Sequence, residues 1–246
     1  MAHYKIILAY DGTEFLGFQR QSEGRTVQAT VESALRRIGW NGASITGAGR
    51  TDTGVHASGQ VVAFEHDWSH SNDDLRDALN ANLPLDVVAR SVEQVDDDFH
   101  PRYSAAARCY QYRLFVDSIR DPLKERYAWR VWPPLAMDLV ECAAEKLIGK
   151  HDFSAFGTPP QPGGSTTREI FGASWQIENE YVVFEILGNA FLYHMVRRLV
   201  SFNVDIGLKK RSLESIDVLL SGEQKTMVQG LAPAEGLILK EVRYPA

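Results

Sequence analysis

YKIILAYDGTEFLGFQRQSEGRTVQATVESALRRI, Tyr4 to Ile38, is the stretch on which the fold turns. Tyr4 to Tyr10 alternate around Ile6, Ile7 and Leu8, the pattern of a strand, and Asp11-Gly12 ends it with turn residues. After a polar connection, Val27, Val31, Ala34, Leu35 and Ile38 recur at the spacing of one buried helical face. Thr26 stands where a helix N-cap is expected. A strand is therefore followed by an amphipathic helix, and each has an apolar face that needs covering.

The same alternation continues outward. Val61 to Phe64 reads as a strand, Asp73 to Leu83 as a helix, and Val87 to Val95 and Cys109 to Val116 as strands. Asp138 with Glu141 resembles a capping box opening a helix through Ile148. Strands follow at Gly172 to Ile177 and Tyr181 to Leu187, then a long helix from about Ala190, a short one after Ser212, and a last strand from Gly236 to Tyr244. Helices interleaved with strands in two similar parts predict an α+β protein whose helices cover a largely antiparallel sheet. PPQPGG, Pro159 to Gly164, reads as a flexible loop and a candidate flap.

Between the first helix and the next strand lies GAGRTDTGVHASGQ, Gly47 to Gln60. Its glycines permit positive φ and close backbone approach to a ligand, and such loops hold function more often than packing. Arg50 and Asp52 place opposite charges beside free N–H groups, which suits an ionised carboxylate acting as nucleophile or base. The same aspartate can equally be a turn residue that bonds its own backbone.

Composition narrows the classes. A chain of 246 residues with 44% hydrophobic content can bury a sizeable core in one or two domains. No apolar run has membrane-span length, and MAHYKIILAYDG lacks the basic start and cleavage site of a signal peptide, so a cytoplasmic location is expected. Cys109 and Cys142 have neither metal-ligand nor disulfide spacing and are expected as reduced thiols. The net charge of −6 argues weakly against a nucleic-acid partner as an average. Basic residues nevertheless cluster at Arg20 and Arg25, Arg36-Arg37, Arg197-Arg198 and Lys209-Lys210-Arg211, leaving a local basic cleft open.

Taken with Val27-Gln28, Asn80 to Pro84, DDFHPRYSAAARCYQYRLF from Asp97, HDFSAF from His151, TREI from Thr167, NAFLYHMVRR from Asn189 and AEGLILKEVRY from Ala234, the opening stretch and the Asp52 loop resemble the tRNA pseudouridine synthase A family over nearly the whole chain. The resemblance implies an isomerase that converts uridine to pseudouridine in the anticodon stem-loop of tRNA, without cofactor or metal. It also implies a homodimer, with two ferredoxin-like (RRM-like) halves, 1–105 and 106–246, sharing an extended sheet around a central cleft. Phe18, Cys109 and Ser201 depart from the family pattern, where tryptophan, a basic residue and glycine are expected.

Residue by residue, the resemblance makes Asp52 the catalytic carboxylate, directed at uracil C6 or ribose C1′. Arg197 matches the arginine that pairs with and positions it. Helical periodicity places Arg197 on a stripe with Tyr193, Val200 and Val204, while either Arg197 or Arg198 is expected to be a snorkelling surface residue. In CYQYRLFV the period of two puts Tyr110 and Tyr112 on one face and does not choose between them. The resemblance selects Tyr110 to stack on the target base, and Leu237 to line the uracil pocket, although Leu237 reads equally as strand core. Arg50 is expected at RNA phosphate or at the flipped nucleotide. His56 and His194 are read as scaffold. A noncatalytic RNA-binding protein and a carboxylate-dependent glycoside hydrolase rank below, since Asp52 and Arg197 are both present and a second placed acid is not identified.

Overall fold

The computed structural model describes residues 1–222 and 226–245. It is an α+β protein whose contacts divide it into two compact units, Met1–Ala106 with Ile238–Ala246, and Ala107–Leu237.

In the first unit, β1 (Ala2–Tyr10) pairs antiparallel with β3 (His56–His66) on one edge and with β4 (Val87–Val95) on the other. The edge of β3 away from β1 is shared. The short β2 (Thr46–Gly47) pairs antiparallel at Val62 and Ala63, and β10 (Leu237–Arg243) pairs parallel at His56 and Ala57. Strict alternation in β1 buries Tyr4, Ile6, Leu8 and Tyr10, as its sequence predicts. β3 is buried on both faces, so its apolar run continues instead of alternating.

Two helices serve this sheet, α1 (Val27–Arg37) and α2 (Asn72–Asn80). α1 buries Val27, Val31, Ala34 and Leu35 of the predicted stripe, while Ile38, its last member, lies outside the helix as the half-buried C-cap. It also buries Glu32 completely. One Glu32 oxygen accepts from Gln28 Nε2 (3.0 Å), Ser44 Oγ (3.2 Å) and the Ile45 N–H (3.2 Å), while the other accepts from Arg20 Nη1 at 2.6 Å. This carboxylate thus ties the helix to the chain entering β2 and to the connection leaving β1. Thr26 holds the N-cap position without a side-chain cap bond, correcting the expected cap. α2 is opened by a true capping box between Ser71 and Asp74, one residue before the expected start.

In the second unit the strand order is β5 (Ala107–Val116), β9 (Tyr181–Gly188), β8 (Thr167–Glu178), β7 (Gly149–Asp152), with β6 (Trp129–Val131) parallel on the free end of β5. α3 (Met137–Glu145) and α4 (Met195–Gly207) cross closely at Gly207, where a Cβ would stand 2.6 Å from Val140 Cγ1. α5 (Ser215–Leu220) completes the set. Asp138 lies inside α3, whose N-cap is Ala136, so the expected capping box is absent. α4 starts five residues later than its periodicity suggests, because His194 takes a left-handed conformation (φ 64°) that a helix cannot contain. Neither cysteine is in a disulfide; Cys109 is buried and Cys142 exposed. Among the described residues no helix is long and apolar enough to cross a membrane.

Replacing Glu32 by alanine leaves the Ile45 N–H buried without its acceptor, while Gln28 Nε2 keeps Ser44 Oγ at 2.8 Å, and is expected to lower stability by about 1–3 kcal/mol. Urea unfolding checks this; a midpoint equal to that of the parent chain would show that the network carries no net stability.

Candidate active site

The loop from Ala48 to Val55 is fixed by the segment that follows β1. Thr51 is buried and held at two atoms: its Oγ1 bonds the Tyr10 hydroxyl at 2.8 Å, and its carbonyl accepts the Phe18 N–H at 3.0 Å. Gly17, at φ +88°, lies directly on this loop, where a Cβ would stand 2.7 Å from the Thr51 carbonyl oxygen. Gly12 is tighter still, with a Cβ position 2.0 Å from the Val55 carbonyl oxygen. Only glycine fits at either place. Gly54 N–H donates to the Phe15 carbonyl at 3.3 Å, and Gln60 Nε2 donates to the Gly49 carbonyl at 2.9 Å. The loop is thereby clamped from both sides.

Asp52 follows Thr51 directly and is half-buried. Its carbonyl accepts the Val55 N–H at 3.1 Å, and Gly54 at φ +78° supplies the positive φ that such a turn requires at its third position. The carboxylate is thus carried by a turn whose backbone cannot drift. Arg50 is exposed and donates from Nε to Gln19 Oε1 at 3.0 Å. His56 is buried, with Nδ1 2.9 Å from the Gly12 N–H and 3.2 Å from Asp11 Oδ1. The backbone N–H can only donate, so Nδ1 is the acceptor and the ring proton is assigned to Nε2. His56 therefore supports the clamp, matching its reading as scaffold.

In the second unit the two tyrosines separate. Tyr112 is fully buried, its hydroxyl donates to the Pro233 carbonyl at 2.7 Å, and its ring fills the space beside Gly236. Burial raises its phenol well above the ordinary range, while the nearby Arg197 charge opposes that rise. Tyr110 is half-buried and meets Phe191 edge-to-face at 5.1 Å. The structure therefore makes Tyr112 a packing residue and keeps Tyr110 partly accessible.

Arg197 and its following turn hold the chain before β10. Arg197 Nε donates to the Ala232 carbonyl at 2.7 Å, and the Ala232 N–H donates to the Arg197 carbonyl at 3.2 Å. Leu237, 5% exposed, begins β10 immediately after this strap and a short 3-10 turn, Ala234–Gly236. Tyr193 lies outside α4, so the expected stripe begins at Arg197. Arg197 and Arg198 are both half-buried, and burial lowers the Arg198 guanidinium below the ordinary arginine value, with Arg197 adding repulsion.

Asp52 and Arg50 thus share one loop of the first unit, and Tyr110, Arg197 and Leu237 belong to the second. Sequence reasoning did not single out Tyr10, Gly12, Gly17 and Thr51 as the clamp. The glycines of YDG and LGF were its visible signal, although Gly12 reads equally as a turn residue that ends β1.

A sequence profile of the family described as tRNA pseudouridine synthase matches residues 6–104 and 143–245. The protein named tRNA pseudouridine synthase A of Limosilactobacillus reuteri (strain DSM 20016) is 39% identical over 250 residues, covering 99% of this chain and 97% of that protein. Proteins of the same name from Lactiplantibacillus plantarum and Geobacter sp. (strain M21) are 37% and 36% identical, over 98% and 100% of this chain and 94% and 100% of their own lengths.

Gly17→Ala is expected to cost at least about 1–2 kcal/mol from the left-handed backbone alone, and more from the contact with Thr51. Hydrogen exchange should speed up selectively across residues 48–56. Exchange there at the parental rate would show that the loop keeps its geometry without the Gly17 contact.

Proposed function

The chain belongs to the tRNA pseudouridine synthase family, and from that membership we propose that it isomerises uridine to pseudouridine in the anticodon stem-loop of tRNA, with Asp52 as its catalytic carboxylate. The observation that carries the residue assignment is the clamp on Thr51, which fixes the backbone on both sides of Asp52 before any substrate arrives. Preorganisation of this kind spares the reaction the cost of ordering the catalytic group.

The reaction breaks the bond between ribose C1′ and uracil N1, turns the base, and joins C1′ to C5; C5 loses its proton and N1 gains one. Asp52 serves as the nucleophile that permits the base to detach and return. The target uridine must leave its stack, which costs a few kcal/mol that contacts with the protein repay. Tyr110 packs against the flipped base and attends the proton at C5, Leu237 lines the uracil pocket, and Arg50 contacts RNA phosphate with the guanidinium nitrogens that Gln19 leaves unused. Arg197 positions the Asp52 carboxylate, its own guanidinium being oriented by the Ala232 carbonyl. The reading extends to a cytoplasmic homodimer, supported by the family resemblance.

The test is tritium release from unmodified tRNA labelled at uracil C5. The parent chain is expected to release tritium, and Asp52→Asn to bind the same tRNA without releasing any. Turnover by Asp52→Asn would remove that residue from the chemistry. Arg197→Lys keeps the charge but loses the Nε bond, and kcat is expected to fall roughly 10- to 100-fold. An unchanged kcat in Arg197→Lys would mean that the geometry of the guanidinium is immaterial.

A further inference from the structure

A chain of net charge −6 that binds RNA cannot rely on a general positive field. Many of its arginines are also already spent. Arg20 is paired with Glu32, Arg25 with Asp86, Arg76 with Asp73 and Asp77, Arg120 and Arg130 with Glu125, and Arg211 with Asp205. An exposed arginine is fully screened by water, whereas a half-buried one without a carboxylate pairs with an incoming anion more strongly because part of its surroundings is already desolvated.

Arg198 is such a residue. Among the described residues its guanidinium has neither a carboxylate nor a hydrogen-bond partner, and the charge nearest to it in effect is another arginine, Arg197. Beside it stands Tyr193, 56% exposed: the Arg198 backbone N–H donates to the carbonyl of His194, the residue that follows Tyr193, at 3.1 Å. The Tyr193 ring stacks on His194 with centroids 3.7 Å apart and planes 28° from parallel. One face of the phenol ring is covered by imidazole, so its exposure belongs to the other face and the edges.

The pair is also rigid. Leu192 and Met195, on either side, are buried, and the Tyr193 N–H donates to the Thr158 carbonyl at 2.9 Å. Gly157 presses on the Tyr193 carbonyl, a Cβ there standing 2.7 Å from its oxygen, and His194 is fixed in its left-handed conformation. An exposed aromatic face held in place, next to an uncompensated guanidinium, has the chemistry that recognises an unstacked nucleotide: the base stacks and the phosphate pairs.

We propose that Tyr193 and Arg198 form a subsite for one unstacked nucleotide of the tRNA, its base lying on the open face of Tyr193 and its phosphate on Arg198. Resting on the tRNA reading above, the subsite is occupied by a nucleotide other than the isomerised uridine, which that reading gives to Tyr110. His194 backs the tyrosine ring and makes no contact with the nucleotide.

Affinity for an unmodified tRNA transcript, measured across a salt series, separates the two contacts. Arg198→Gln is expected to weaken binding and to reduce the slope of log Kd against log salt by about one. Arg198→Lys should restore that slope. Tyr193→Ala should weaken binding by roughly fivefold or more with the slope unchanged, the effect of losing one base stack. Tyr193→Trp should retain affinity and show a quenching on tRNA addition beyond that of the five parental tryptophans. Parental Kd in both Tyr193→Ala and Arg198→Gln would overturn the subsite, as would an unchanged salt slope in Arg198→Gln. A parent chain that releases tritium while these variants bind like it sinks only the subsite; a parent chain that releases none from tRNA sinks the reading beneath it.

Discussion

The hydrogen bond from the Phe18 N–H to the Thr51 carbonyl, made possible by the absence of a side chain at Gly17, is the contact on which the Asp52 loop depends. A glycine-rich loop is intrinsically the segment most expensive to order, because its backbone has the most freedom to lose. Here the connection leaving β1 supplies the order from outside. Gly12 and Gly17 bring that connection to within backbone contact, and Tyr10, from the end of β1, reaches the Thr51 hydroxyl. The loop keeps one glycine, Gly54, where its own turn needs positive φ and takes its rigidity from a neighbour.

Electrostatics divide along a similar line. Glu32, deep in α1, gathers a guanidinium, an amide, a hydroxyl and a backbone N–H, so its charge is compensated on all sides and its role is architectural. Arg198, by contrast, holds its charge part-way into the protein with no acid to meet it. Clusters of basic residues along the chain do not distinguish these cases. Arg20 and Arg25 look as available in the sequence as Arg197-Arg198, yet each is matched to a carboxylate distant along the chain.

Much of the fold was legible. The alternation of β1 and the stripe of α1 stand in the structure as their patterns predict, because each element buries one face and the sequence must obey the period of that face. Short strands such as β2 and β7 left no signal, since two to four residues cannot display a period. The start of α4 was misplaced for a physical reason: FLYHM continues the apolar spacing of the helix, but His194 turns left-handed and rotates Tyr193 away from it. The choice between Tyr110 and Tyr112 was equally invisible to periodicity. It depends on what the ring touches, and Pro233 and Gly236, which surround Tyr112, lie more than a hundred residues away.

The last strand returns to the first unit after the whole of the second has been made. Residues 238 and 239 pair with His56 and Ala57, just behind the Asp52 loop, and Ser58 bonds the Lys240 carbonyl across 182 residues of sequence, in a gap that Gly59 keeps open. On a ribosome, the first hundred residues emerge with β2 able to pair on this edge of β3 but with its start, at His56 and Ala57, bare. Its support arrives only with β10, so the sheet edge next to the loop waits unpaired throughout synthesis of the second unit. The order in which the protein is built therefore delays completion of the sheet behind Asp52 until the second unit has been translated, and a ribosome-bound fragment lacking β10 would display β3 unfilled at His56 and Ala57.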